Sequence, residues 1–152
     1  MRRLLLAFAL LAASCNYDVP ISGTPSRHVE PRLIGAWTAT GDDGKAEHMT
    51  VREWDADHYA VQYDGDVFRA FHTDVAGLPL ISVQDLNGSS RKYLYVTWRL
   101  SEDGKKLTLR AVTTDVVPES TRDSASVVKL IEKNRDNPRL FNEGAVYTRS
   151  TT

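Results

Sequence analysis

Few side chains in this chain stand at spacings that do chemistry unaided. The histidines are His28, His48, His58 and His72. None forms a His-X-His or His-X-X-X-His pair, so a zinc site would require convergence over long distances. Solvated or half-buried strand histidines are the expectation. Asp55-Ala56-Asp57 and Asp64-Gly65-Asp66 offer the hard oxygen ligands that calcium takes, but neither continues into a loop with a distant glutamate. Both fall where short strands must turn, as do Asp42, Asp43 and Asp103, and they are read as turn residues. A Gly-X-Ser-X-Gly elbow is missing, and so is a glycine-rich phosphate loop. Asn87-Gly88-Ser89 has the form of a glycosylation acceptor and reads as a turn. No catalytic residue, metal ligand or cofactor is assigned. Cys15 is the single cysteine, and its position carries more information than its reactivity.

The elements that would position a site are β-strands. Leu33 to Thr40, Glu47 to Trp54, His58 to Tyr63, Val67 to Thr73, Leu80 to Leu86, Lys92 to Leu100 and Lys106 to Thr113 each fit a strand. The clearest is Lys92 to Leu100, where Leu94, Val96, Trp98 and Leu100 share a face. Tyr93 and Tyr95 take the other face, to line a cavity or cover an exterior. Phe68 and Phe71, at odd spacing, cannot share a face, so one is expected against a helix. Asp64-Gly65 is a tight hairpin signal. The period changes after Asp123-Ser124, where Val127, Val128, Leu130 and Ile131 mark one helical face up to about Lys133. Ala145 to Arg149 closes the series. The reading is mainly β, an antiparallel meander of about eight strands with one short helix before the last. A meander of that length manages its edges most simply by closing into a barrel.

The N-terminus has a separate logic. Arg2 and Arg3 precede an apolar run, Leu4 to Ala13, too short to cross a bilayer of roughly 30 Å. Leu11-Ala12-Ala13-Ser14-Cys15 then resembles the lipobox that closes a bacterial lipoprotein signal peptide. Ala12 stands where leucine is usual, and Leu11 lies one place further out. The resemblance implies cleavage before Cys15 and lipid on its thiol, which gives purpose to a lone cysteine in an exported chain. Two or three acyl chains anchor stably where one does not. Asn16, in place of the aspartate that commonly retains such proteins in the inner membrane, implies the outer membrane, facing the periplasm.

This divides the chain into a signal peptide (1–14), a lipidated N-terminus with a flexible tether (15–31) and a single domain (32–152). Pro20, Pro25, Pro31, Ser22 and Gly23 break any periodicity in the tether. Such a segment would hold the domain on the order of 20 Å from the bilayer. Without Arg2 and Arg3 the 19 basic side chains become 17 against 20 acidic ones, a net charge of −3. No basic patch is present, which argues against nucleic acid as a partner.

Gly35-Ala36-Trp37 is similar to the Gly-X-Trp opening of lipocalins and related calycin barrels, as is the late helix. The resemblance implies a lipocalin-like barrel in which Trp37 packs structurally across the floor; function does not follow from fold. Two non-enzymatic expectations arise. One is a small apolar ligand or lipid held in a cavity on the order of a few hundred cubic ångströms. The alternative is a protein-interaction module, an accessory subunit of an envelope complex or an inhibitor of an envelope-targeting enzyme, with Asp115 to Arg122 as a projecting loop.

Overall fold

The computed structural model describes residues 15–41 and 43–150. The expected signal segment and the turn residue Asp42 lie outside them. Strands β1 (Gly35–Thr40), β2 (Ala46–Glu53), β3 (Tyr59–Tyr63), β4 (Asp66–His72), β5 (Leu80–Asp85), β6 (Tyr93–Leu100) and β7 (Lys106–Ala111) follow in order. Helix α1 (Ser124–Lys133) and strand β8 (Ala145–Arg149) complete the chain. Each strand pairs antiparallel with its neighbours in sequence, and β8 returns to β1, so the sheet is a closed barrel. Closure leaves no edge strand to template pairing with another chain.

Alternation decides which side chains enter. Tyr59, Val61 and Tyr63 of β3 point inward and are buried, while Gln62 between them is exposed. At the β3–β4 turn Asp64 and Gly65 both take positive φ (44° and 93°), the geometry that suits a two-residue hairpin. Asp123 caps α1 by accepting from Ser126 N–H at 2.8 Å. Val127 and Ile131, four residues apart, bury one face of the helix.

An up-and-down barrel has two ends. The end bearing the β1–β2, β3–β4 and β5–β6 turns is here called the mouth. The floor bears the β2–β3, β4–β5 and β6–β7 turns and the chain entering β1. That chain does not begin a strand at Leu33; Pro31–Leu33 is a 3-10 turn whose Leu33 plugs the floor. Trp37 is wholly buried and donates its indole N–H to Leu33 O at 3.0 Å. Arg149 lies 4.3 Å from the Trp37 ring centroid and donates to Ile34 O, Gly104 O and Arg32 O. Gly35 makes room for this lock: its φ is +142°, and a Cβ there would stand 2.6 Å from the Arg149 guanidinium.

The apolar residues form two clusters. The first fills the barrel. The second lies outside it, where Leu80 of β5 and Tyr95 of β6 meet Val127 and Ile131 of α1 together with Tyr17 and Ile21. Tyr95 thus covers the exterior. Phe68 joins the interior cluster. Phe71, expected to meet the helix if Phe68 did not, instead packs its ring 5.3 Å from that of His58.

Residues 16 to 31 correct the expectation of a flexible tether. Tyr17 forms paired backbone hydrogen bonds with Tyr93, at 3.1 and 2.8 Å. It stacks on Tyr95 with ring centroids 4.2 Å apart and donates its hydroxyl to Val117 O at 2.8 Å. Ile21 is buried and donates its N–H to Ser82 Oγ. Ser26 N–H reaches His72 O and Val29 N–H reaches Ala56 O. The segment is a strap laid down the outside of the barrel from mouth to floor. Prolines and small polar residues prevent a ladder within the strap, so contacts with the barrel supply its order.

Candidate functional site

Three places in the described residues bring chemistry-bearing side chains together. The first is the floor, where β3, β4 and β6 aim Tyr59, His72 and Trp98 inward under strap residues 26 to 33. Glu30 N–H donates to Tyr59 Oη at 2.6 Å, which leaves the hydroxyl proton to be donated to His72 Nε2 at 2.7 Å. In that arrangement the proton of the imidazole sits on Nδ1, which has no acceptor; Trp98 Nε1 is likewise buried without one. Burial, and after it the positive charge of Arg27, bring His72 down to about 4, while burial pushes Tyr59 up to about 12. The expectation of a solvated or half-buried histidine is corrected here, since His72 is fully buried.

Above this cluster lies a cavity of about 50 Å³ walled by apolar side chains, among them Leu33, Met49, Val61, Ile81 and Val96. This falls well below the few hundred cubic ångströms expected for a carried ligand. A benzene-sized guest takes roughly 150 Å³. The large inward residues Trp37, Phe68 and Tyr147 account for much of the filling.

The second place is toward the mouth. Glu47 shares the inward parity of Met49 and Val51 and is buried. It accepts from Tyr63 Oη at 2.5 Å. Burial first, and then this bond, push the Tyr63 hydroxyl far up; burial pushes Tyr147 beside it up to about 12. Glu47 passed unnoticed in the sequence, although Met49 and Val51, which follow it at the same parity, gave its side.

The third place is the outer wall of β2, β3 and β4. Trp54, just beyond β2, is 52% exposed, with the Arg69 guanidinium 5.6 Å from its ring centroid. Arg69 donates to His58 Nε2 at 3.0 Å, so the other ring nitrogen of His58 donates to Asp55 Oδ1 at 2.8 Å. Asp55 also accepts from Asp57 N–H, the geometry of a turn, and these hydrogen bonds hold its carboxyl below the usual carboxylate range. Val67, 40% exposed, borders a shallow depression of about 200 Å³ with Thr50, Arg52, Ala60 and Gln62.

The remaining sequence candidates are scattered. His28 is exposed and meets Asp57 at 2.5 Å, and His48 is exposed on β2. Among the described residues no three His, Cys, Asp or Glu side chains cluster to hold a metal. Cys15 lies at the mouth, half-buried against the interior cluster. Burial, and then the charge of Asp85, push its thiol up to about 12. No family model matches the chain, and no curated protein or solved structure matches it either.

Proposed function

We propose that this protein is a lipid-anchored, lipocalin-like barrel of the cell envelope that works without catalysis, by presenting the outer wall of β2–β4 to a protein partner. The anchor rests on the lipobox-like residues Leu11 to Cys15, and the outer-membrane, periplasm-facing placement on Asn16. The observation that carries the surface reading is Trp54. A large aromatic is held half in water beside an arginine that donates to His58, and His58 donates in turn to Asp55. Tryptophan and arginine are the residues that most often dominate protein interfaces. The two polar clusters inside the barrel support a non-enzymatic role, since Tyr59, His72, Glu47 and Tyr63 are all walled off from solvent.

A photo-crosslinking amino acid at Gln62, on this wall, tests the reading in cells expressing the full chain. A single discrete protein adduct is expected, absent when the same group replaces Lys129 on the exposed face of α1, and lost in Trp54→Ala. Equal adducts at both positions would remove the claim.

A second reading, a small apolar ligand, is favoured by one observation. The barrel interior keeps a cavity of wholly apolar surface, with Trp98 and Tyr59 among the side chains that line it. A guest of few heavy atoms, smaller than benzene, is what a space of about 50 Å³ admits. Native mass spectrometry of the domain from Asn16 onward tests it: a carried molecule adds mass, and a bare polypeptide mass defeats it.

A further inference from the structure

We propose that the mouth of the barrel rests directly on the surface of a lipid bilayer, with the floor pointing away. This rests on the reading that Cys15 carries the lipid anchor. The argument is the length of chain left between the lipid and the folded domain. Tyr17, two residues after Cys15, is already fixed by its paired bonds to Tyr93, its hydroxyl bond to Val117 O and its stack on Tyr95. Asn16 is the one residue between them, and a fully extended residue spans at most about 3.6 Å. The slack is therefore a small fraction of the roughly 20 Å that a flexible segment of residues 16 to 31 would give.

Cys15 itself packs against the interior cluster at the mouth. Acyl chains attached there enter a bilayer only if that end faces it. The turns around it end in charges of both signs, with Asp43, Lys45, Asp64, Asp66 and Arg91 all exposed. That chemistry suits contact with zwitterionic headgroups and does not suit insertion among acyl chains. With strands of five to eight residues rising about 3.3 Å per residue, the floor stands on the order of 20 Å above the headgroups. The wall bearing Trp54 then faces sideways, with Trp54 at its floor end, toward partners that rise to a similar height above the same membrane.

The test uses the full chain, processed in cells and reconstituted into phosphatidylcholine vesicles. Lipidation consumes the Cys15 thiol, so a nitroxide placed through Ser90→Cys in the β5–β6 turn, or through Glu102→Cys in the β6–β7 turn, reports one site alone. The vesicles carry a nickel chelate on the headgroups, and the readout is relaxation of the nitroxide by nickel. The expected result is an effect several-fold larger at Ser90→Cys than at Glu102→Cys. A Gly-Ser insert as long as residues 16 to 31, placed between Cys15 and Asn16, should bring the two sites close to equal. Intact mass is measured on the same samples. Equal, weak relaxation at both sites in a chain whose mass shows the lipid would overturn the orientation while leaving the anchor in place. A mass lacking the lipid overturns the anchored reading, and this one with it.

Discussion

The two long walls of this barrel are built alike and finished differently. Over β5 and β6 the outward residues Leu80 and Tyr95 are sealed under α1 and the N-terminal strap. Over β2, β3 and β4 the outward residues Thr50, Arg52, Ala60 and Gln62 have no second layer, and Trp54 and Val67 are exposed. The covered wall supplies a second apolar core to a domain whose chain holds a single cysteine. Burying that face costs the chain two extra segments, residues 16 to 31 and 112 to 144. The bare wall contributes less to stability and stays available for contact.

The largest effect that would separate the walls is expected at Tyr17. Tyr17→Ala removes a stacked ring, a hydroxyl bond and the first pin of the strap. Truncating a buried aromatic to alanine costs about 3–5 kcal/mol. Denaturant unfolding of the domain should show that loss, with faster proteolysis between residues 18 and 28. A loss under 1 kcal/mol would mean that the covered wall is no more essential than the bare one.

Acid should loosen the same strap at its other end. His72 sits at about 4 in the fold against 6.5 ordinarily. As pH falls below 6.5 the unfolded chain takes up a proton that the fold refuses until about pH 4. Stability from this group is therefore full above pH 6.5 and declines through the window between these values, by about 3 kcal/mol in all. The His72 carbonyl also holds Ser26 N–H, so cleavage near residues 26 to 30 should quicken at pH 5. His72→Phe should flatten the pH dependence across that window; an unchanged slope in denaturation midpoints between pH 7 and 5 would assign it to other groups.

Local periodicity made the barrel wall legible. The alternation in Tyr59-Ala60-Val61-Gln62-Tyr63, the Asp64-Gly65 turn and the change of period at Asp123 are properties of neighbouring residues, and each strand lay within two residues of its expected bounds. The strap was illegible for the opposite reason. Tyr17 and Ile21 are single anchors in a stretch of prolines and small polar residues, and their partners Tyr93, Ser82 and Val117 lie far along the chain. Glu47 had a local signal in its parity with Met49 and Val51. Its partner Tyr63 becomes visible only with the β2–β3 register, in which Met49 sits opposite Tyr63. Trp54 fell at the end of an expected strand, and its neighbour Arg69 comes from two strands away.

A smaller test on the covered wall is Tyr95→Phe. It keeps the ring under Tyr17 and deletes only the hydroxyl that donates to Val19 O at 2.5 Å. The loss should be about 1 kcal/mol, the net worth of one hydrogen bond. Together with Tyr17→Ala in a double-mutant cycle it should show coupling, because the hydroxyl holds Val19, two residues along the strap that Tyr17 pins. Strict additivity would mean that the strap and β6 are stabilised independently.

The smallest stability effect is expected on the bare wall, and it is the most informative about function. Trp54→Ala removes a half-exposed ring over Arg69, an arrangement worth about 0.5–1 kcal/mol at a solvated site. The melting curve should barely move, and the strap should stay protected from protease. Recovery of the adduct from Gln62 should nevertheless fall by an order of magnitude or more, since hot-spot aromatics carry about 2 kcal/mol or more of binding energy. The ratio of the two effects is what matters. A residue kept for packing loses stability and binding together. Trp54 has little packing to lose, so a variant that unfolds would place it in the core economy of the barrel, and one that binds normally would leave the bare wall without a function to explain its exposure.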